Sequence, residues 1–442
     1  MDRVEEMEEI IVVGGGICGL ATALALHRFL LLIYYFLPII GIISIKQLIN
    51  PCQCCFFMVY ELLRKGIKSL VLEKSESLRA TGAGITIRTN GWRALDQLGV
   101  GSKLRKTAIH LQREQDIWLT DGKQQEIPLG EGAETRCLRR SDLITSLAES
   151  LPPATIRLGC QILSVTQHPL TSYSIIQLQN GSSIKAKVLI GCDGANSVVA
   201  DFLQLKPPKL LPLSEVRGFT NFANGHDFGN DFVQVWGDHS IIGRMPVDNN
   251  LVYWFVTLKV NPRGSVVAKD PELIHQLALE SIKGFPAELV SMITNCDRES
   301  LSLARLRHRA PWEILLGSFQ NGTVTVAGDA MHVMGPFLGQ GGSAGIEDAI
   351  VLARCLAQKM HEIDHVKTGG RQVMISPHKV GEAFDEYVKE RRMRLVWLST
   401  QTYLCSLLVK PPSFLVEFVC NILMMALFSD SIAHTQYDCG HL

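Results

Sequence analysis

Three glycines near the start of the chain carry the first chemical signal. In "IIVVGGGICGLATALALHR", Gly14, Gly16 and Gly19 follow an apolar run, Ile10 to Val13, and precede an Ala/Leu-rich stretch. Their spacing is G-x-G-x-x-G, which suits a pyrophosphate. Gly14 permits a tight turn, Gly16 lets backbone approach the anion, and Gly19 lets a helix pack close to a strand. The N-terminus of that helix adds free N–H groups and the positive end of a dipole. Such a dinucleotide site needs an acidic residue about 20 positions on, to hold ribose hydroxyls. Nothing suitable lies there. The candidate is Glu73, closing "KSLVLEK", 54 residues beyond Gly19.

Two later stretches repeat the grammar of apolar strand and polar turn. "AKVLIGCDGANSVVADFL" brings Asp193, Gly194, Asn196 and Ser197 to a strand end. "GTVTVAGDAMHVMGPFLGQGGSAGIEDAIVLARCLA" delivers Gly328 and Asp329 from a strand over Thr323 to Ala327. Pro336, the run Gly339-Gln340-Gly341-Gly342 and a helix from about Ser343 follow. A carboxylate at a strand end can take a sugar-alcohol hydroxyl. The glycine run lets backbone approach a ring, and the helix dipole there favours an anion.

The elements that position these residues are buried strands, each handing its glycines to a helix. One stretch breaks the pattern. Residues 29–64 are oily, cysteine-rich and nearly uncharged. Without those 36 residues the text reads "ALALHR-KGIKSLVLEK", and Glu73 falls 18 positions after Gly19. The first helix then ends on His27, Arg28, Lys65 and a capping Gly66. The stretch is read as an in-frame insert, a retained intron or a gene-model error. A membrane anchor is the lesser reading. Phe29 to Ile45 is 17 uncharged residues, the short limit for a span. A crossing would also put neighbouring strands of one sheet on opposite sides of a bilayer.

Charges balance at 43 basic and 43 acidic residues, so no global field favours nucleic acid. The acidic N-terminus, "MDRVEEMEE", fits neither a signal nor a transit peptide, so a cytoplasmic location is expected. The twelve cysteines form no paired framework and read as reduced thiols. Cys52, Cys54 and Cys55 lack a second ligand pair at zinc spacing, so no metal site is expected.

Taken in order, the three motifs resemble the flavoprotein aromatic hydroxylases of the p-hydroxybenzoate hydroxylase fold. More closely, the chain looks like plant FAD-dependent monooxygenases of the 3-hydroxybenzoate 6-hydroxylase type. "TGAGITIRTNGWRALDQLG" and "CLRRSDLITSLAESLP" add to the likeness, which spans the chain apart from the insert. It implies an α/β fold: a Rossmann-like FAD-binding βαβ domain with a mostly parallel sheet, an inserted antiparallel substrate sheet, and C-terminal helices. Gly14, Gly16 and Gly19 would hold the pyrophosphate, Glu73 the adenosine ribose and Asp329 the ribityl chain. Arg140 would contact FAD from its helix, in preference to the adjacent Arg139. Asp193 and Gly194 would lie near the cofactor and the path of the nicotinamide donor. Gly339 to Gly342 would line the flavin ring, with Pro336 above it. Where the family often closes the Asp-Gly motif with Arg, this chain has Ala200.

The implied reaction uses FAD, NAD(P)H and O2 to hydroxylate a small aromatic substrate through a flavin hydroperoxide. The alternatives are an epoxidase or N-hydroxylase, or an inactive splice product that binds FAD poorly. No C-x4-C redox pair, second G-x-G-x-x-G or Trp-x-Trp-x-Ile motif points to another flavoprotein class. His332 is read as structural and Cys18 as a packed small residue. Arg217 and His239 show no spacing that lifts them above background. The expected organisation is a discontinuous FAD domain, 1–105, 136–205 and 313–400, with a substrate sheet from 106–135 and 206–312. Segment 401–442 is expected to be helical, facing the protein or a partner, with membrane contact the minor option.

Overall fold

The computed structural model describes residues 6–28, 67–78, 83–127, 129, 132–169, 171–259, 268–364, 376–409, 413–428, 430 and 432–442. The insert at 29–64, with Lys65 and Gly66, lies outside the described residues. Around it the chain builds three sheets. In the largest, β1 (Glu6–Val13) runs into α1 (residues 17–28) through the first glycine turn. β2 (Ser69–Leu72) pairs parallel with β1, Val13 opposite Leu72, so Glu73 emerges beside the glycines. β3 (Ser183–Gly191) pairs parallel on the other side of β1, and β4 (Val324–Val326) pairs parallel with β3. Ile156–Arg157 adds a further parallel strand beside β2.

This arrangement follows from sequence. "IIVV" of β1 is buried on both faces, as a strand flanked by parallel neighbours and covered by helices must be. Because β1, β3 and β4 are parallel and adjacent, their carboxyl ends share one edge. All three motif turns therefore leave the sheet side by side, where open α/β sheets bind ligands. The principal core joins this sheet to α1, to α2 (Gly341–Asp364) and to α3 (Pro377–Val409).

A seven-stranded sheet forms the second layer, in the order Ser302–His308, Lys209–Asn221, Leu251–Lys259, Ser240–Pro246, Asp231–Trp236, Arg113–Trp118, Gln124–Ile127. It is antiparallel except where Asp231–Trp236 meets Arg113–Trp118, a parallel pair. Arg113–Trp118 and Gln124–Ile127 form an antiparallel hairpin. Gly122 takes φ +68°, and the Asp121 carboxylate accepts from the Lys123 N–H at 3.0 Å. One face of this sheet packs on Pro271–Ser281 and Ala287–Thr294 around Trp254. The small third sheet holds Gly84–Ile87, Arg136–Arg139 and Ile109–His110.

At the C-terminal side, α4 (Phe414–Leu427) buries only Cys420. Phe414, Leu415 and Met425 lie open to solvent. Among the described residues, no helix is long and apolar enough to cross a membrane.

Candidate active site

The first turn has the geometry its glycines require. Gly14 sits at φ +104°, and a Cβ there would come within 2.5 Å of the Cys192 carbonyl oxygen. At Gly19 a Cβ would meet the Gly14 carbonyl oxygen at 1.9 Å, so only glycine lets α1 approach the turn. Gly16 differs: nothing lies within 4 Å of the Cβ it lacks. That open space fits a phosphate approaching backbone at a helix N-terminus. Glu73 is buried behind the turn. Its carboxylate accepts from the Gly15 N–H at 2.6 Å and from the Ser75 N–H at 3.0 Å.

At the second turn the Asp193 carboxylate accepts from the Val198 N–H at 2.8 Å, tying the loop to the next helix. Burial pushes this carboxyl up, against hydrogen bonds from Ser197 and nearby backbone. Gly194 takes φ +84° with open space beside it. The third turn presses on the first, since a Cβ on Gly328 would lie 2.8 Å from the Cys18 Cβ. Asp329 faces the cavity. It is exposed to that space; protein packed around the cavity pushes its carboxyl up, while His332, Arg140 and Arg217 pull it the other way. Gly339 and Gly341 have no neighbour within 4 Å of a Cβ; at Gly342 one would meet the Ile85 side chain at 2.8 Å.

These turns converge on one cavity of about 670 Å³. Gly16, Arg140, Gly194, Asp329, Pro336, Gly339, Gly341 and Gly342 reach its wall. Gly14, Gly19, Glu73 and Asp193 do not reach this wall; they lie in or against the first two turns. The two arginines diverge where strand becomes helix: Arg139 pairs outward with Asp248 at 2.9 Å, and Arg140 turns to the cavity.

A buried ionic cluster supports the third turn. Arg391 bonds Asp348 through Nε and Glu347 through an Nη, each at 2.7 Å, and all three are fully buried. Asp348 also accepts from the Gly328 N–H at 2.9 Å and meets His332 Nε2 at 2.6 Å. Asn90 links Glu347 to Gln340 inside the glycine run, at 2.6 and 2.8 Å. His332 is thus a structural partner. Burial opposes charge on Asp348, but His332 and Arg391 outweigh it and hold the carboxyl far below the usual range.

The sign follows from linkage. A depressed carboxyl contributes stability that is complete above its unfolded value, about 3.9, and is lost as pH falls toward the folded value. Asp348→Asn should be less stable than the parent at neutral pH. Its melting temperature should also fall less steeply between pH 5 and pH 3, as scanning calorimetry would show. Equal slopes would exclude this assignment.

Sequence reasoning expected an antiparallel sheet over the cavity but not the side chains that reach it. Glu215 and Arg217, and Tyr253 and Phe255, face it from adjacent strands, while Trp254 points into the opposite core. Period-2 alternation in "LVYWFVTLKV" was the available signal. Burial works against charge on Arg217, but the Glu215 carboxylate bonded to it raises its pKa overall. Asp116 accepts from Trp236 Nε1 at 3.1 Å and Gln234 at 3.2 Å, and burial pushes it up. Among the described residues, no three side chains form a metal-binding group.

Comparison with known proteins matches this geometry. The family described as FAD binding domain matches residues 57–364. Monooxygenase 1 of Arabidopsis thaliana is 45% identical over 440 residues, covering 99% of this chain and 100% of that protein. 3-Hydroxybenzoate 6-hydroxylase of Klebsiella oxytoca is 25% identical over 414 residues, covering 88% and 91%. In structure, a variant of HpxO from Klebsiella pneumoniae, complexed with FAD, superposes with TM-score 0.72 at 19% identity. That match covers 97% of this chain and 98% of that one, and it shows the fold. With a family match over most of its length and a relative this similar from end to end, the chain belongs to the FAD-dependent monooxygenases of the aromatic hydroxylase family, enzymes for which NAD(P)H is the typical electron donor.

Proposed function

We propose that this enzyme hydroxylates a small aromatic substrate held between the glycine floor and the roof sheet. One observation carries the reading: Phe232, Tyr253 and Phe255 project from one face of the roof into the cavity. The Phe255 ring centroid lies 6.4 Å from that of Phe232 and 6.4 Å from that of Tyr253. Such spacing is that of interacting rings, and an apolar wall with a few convergent polar groups suits a flat aromatic ligand. Glu215 and Arg217 supply polar contacts beside it.

In this reading the open flank of Gly16 and the start of α1 receive the pyrophosphate. Gly14 and Gly19 keep the turn narrow. Glu73 faces the adenosine ribose, a carboxylate oxygen having a second lone pair beyond the one its backbone donor uses. Asp329 takes ribityl hydroxyls, and Arg140 approaches the cofactor from its helix. Asp193 holds the loop along which the nicotinamide donor passes, with Gly194 leaving it room. Gly339 to Gly342 leave space for the ring, and Pro336 closes over it. When bound, FAD supplies the electron transfer and oxygen activation. The protein binds, orients and excludes water.

The domain division follows the same logic. Residues 1–105, 136–205 and 313–400 carry the FAD site, 106–135 and 206–312 the substrate roof, and 401–442 the C-terminal helix. Segment 29–64 is proposed to be dispensable. In support, without it Glu73 falls 18 positions after Gly19, the spacing a dinucleotide site needs.

The test is NADH and NADPH oxidation by the purified flavoprotein across a panel of phenols and phenolic carboxylates. The expected result is stimulated oxidation and a product one oxygen atom heavier. Phe255→Ala should raise KM more than it lowers kcat. Stimulation by none of the panel, or no oxygenated product, overturns the reading.

A further inference from the structure

The first and second turns each carry a cysteine that the proposed oxygenation does not use. Cys18 lies at the start of α1, and Cys192 follows β3 directly before Asp193. Their sulfurs are 3.8 Å apart, Cys18 donating to Cys192. Thr22 accompanies them, donating to the Cys18 carbonyl at 2.8 Å and lying 3.9 Å from the Cys192 sulfur. Both residues line the cavity. A Cβ on Gly19 would lie 3.3 Å from that of Cys192, and one on Gly345 would lie 3.2 Å from that of Cys18. The pair therefore sits where the turns and α2 meet. Among the described cysteines, no other two thiols are recorded in contact.

We infer that Cys18 and Cys192 form a modification site: peroxide joins them as a disulfide when FAD is absent, and the bond closes the floor against the cofactor. A disulfide is about 2.05 Å long, so the sulfurs must approach by a little under ~2 Å, drawing the start of α1 toward the end of β3. That shift acts on the turn whose open flank at Gly16 receives the pyrophosphate.

The chemistry balances. The Cys192 sulfur attacks a peroxide oxygen, the O–O bond breaks, and one water leaves with a sulfenic acid on Cys192. The Cys18 sulfur then attacks that sulfur, the S–O bond breaks, and a second water leaves. The two thiols give up two electrons and two protons, and hydrogen peroxide is reduced to two waters. Donation to Cys192 and burial push the Cys18 thiol up, so Cys18 keeps its proton while Cys192, which accepts from it, takes the first step.

Protection by FAD rests on the cofactor placement proposed above. The experiment treats the FAD-loaded and FAD-stripped full-length protein with hydrogen peroxide, blocks remaining thiols, and maps peptides without reduction. FAD rebinding is followed by flavin fluorescence before and after dithiothreitol. The expected result is a Cys18–Cys192 linked peptide in the stripped protein, little in the loaded protein, and loss of rebinding that dithiothreitol reverses. Cys192→Ala and Cys18→Ala should each lose the peroxide-induced change, every variant being compared with itself untreated. Absence of the linked peptide from the stripped protein overturns the proposal. So does linkage that leaves rebinding intact, or an equal loss of rebinding in both variants. Equal linkage in loaded and stripped protein would instead overturn the placement of FAD over these sulfurs.

Discussion

Gly16→Val should give a folded protein that purifies without flavin. The missing Cβ at this position faces empty space, so the new side chain meets no protein atom near its root. Its cost to the unliganded fold should be within about 0.5 kcal/mol, the usual range for a substitution that touches nothing. What it fills is the approach to the helix N-terminus. Gly19→Ala is the opposite case. Its Cβ would lie 1.9 Å from the Gly14 carbonyl oxygen, a backbone atom held in the turn by the Gly14 N–H bond to Leu72 at 2.8 Å. Neither side can yield, so α1 must lift from the sheet. Circular dichroism, urea titration and flavin absorbance separate the two. Normal folding with flavin lost marks the first, and lost stability the second. Full flavin content in Gly16→Val would remove Gly16 from the cofactor site.

Arg391→Met should be the most destabilising single change outside the turns. The guanidinium bridges two buried carboxylates and also donates to the Ala344 carbonyl at 3.2 Å. Methionine fills similar volume but removes the cation that Glu347 and Asp348 share, leaving His332 against Asp348 and Arg394 against Glu347 at 3.3 Å. Breaking a buried pair by removing one partner costs about 3–5 kcal/mol. Domain stabilities are typically about 5–15 kcal/mol, so that is a large share. Arg391→Lys should not restore it, because one ammonium lacks the forked geometry that meets both carboxylates. A urea midpoint for Arg391→Met equal to that of the parent would show that the cluster contributes nothing net.

What could be read from the sequence was what local geometry enforces. A G-x-G-x-x-G turn needs glycine at each position for a reason confined to a few residues, so strand, turn and helix were visible together. Glu73 became readable once the spacing was restored. The roof was not readable in the same way. Tyr253 and Phe255 reach the cavity because seven strands from separated segments pair in one register, and alternation alone does not say which face meets the flavin side. Glu347, Asp348 and Arg391 were hidden for another reason. Charged residues on helices usually face water, and only the apolar text on both sides of "ED" in "AGIEDAIVLA" hints at burial. The C-terminal helix was expected to be packed or partner-facing; in the structure most of its apolar side chains are open to solvent.

The order of strands in the central sheet also sets a timetable. β1 leaves the ribosome first, yet its neighbour β3 comes from the middle of the chain and β4 from far beyond that. Parallel pairing between distant segments forms slowly and exposes apolar edges until it is complete. The carboxyl end of β3, Leu189 to Gly191, must therefore wait with one edge unpaired while the roof strands between β3 and β4 are still being translated. Chaperone capture during synthesis is a natural demand of this topology.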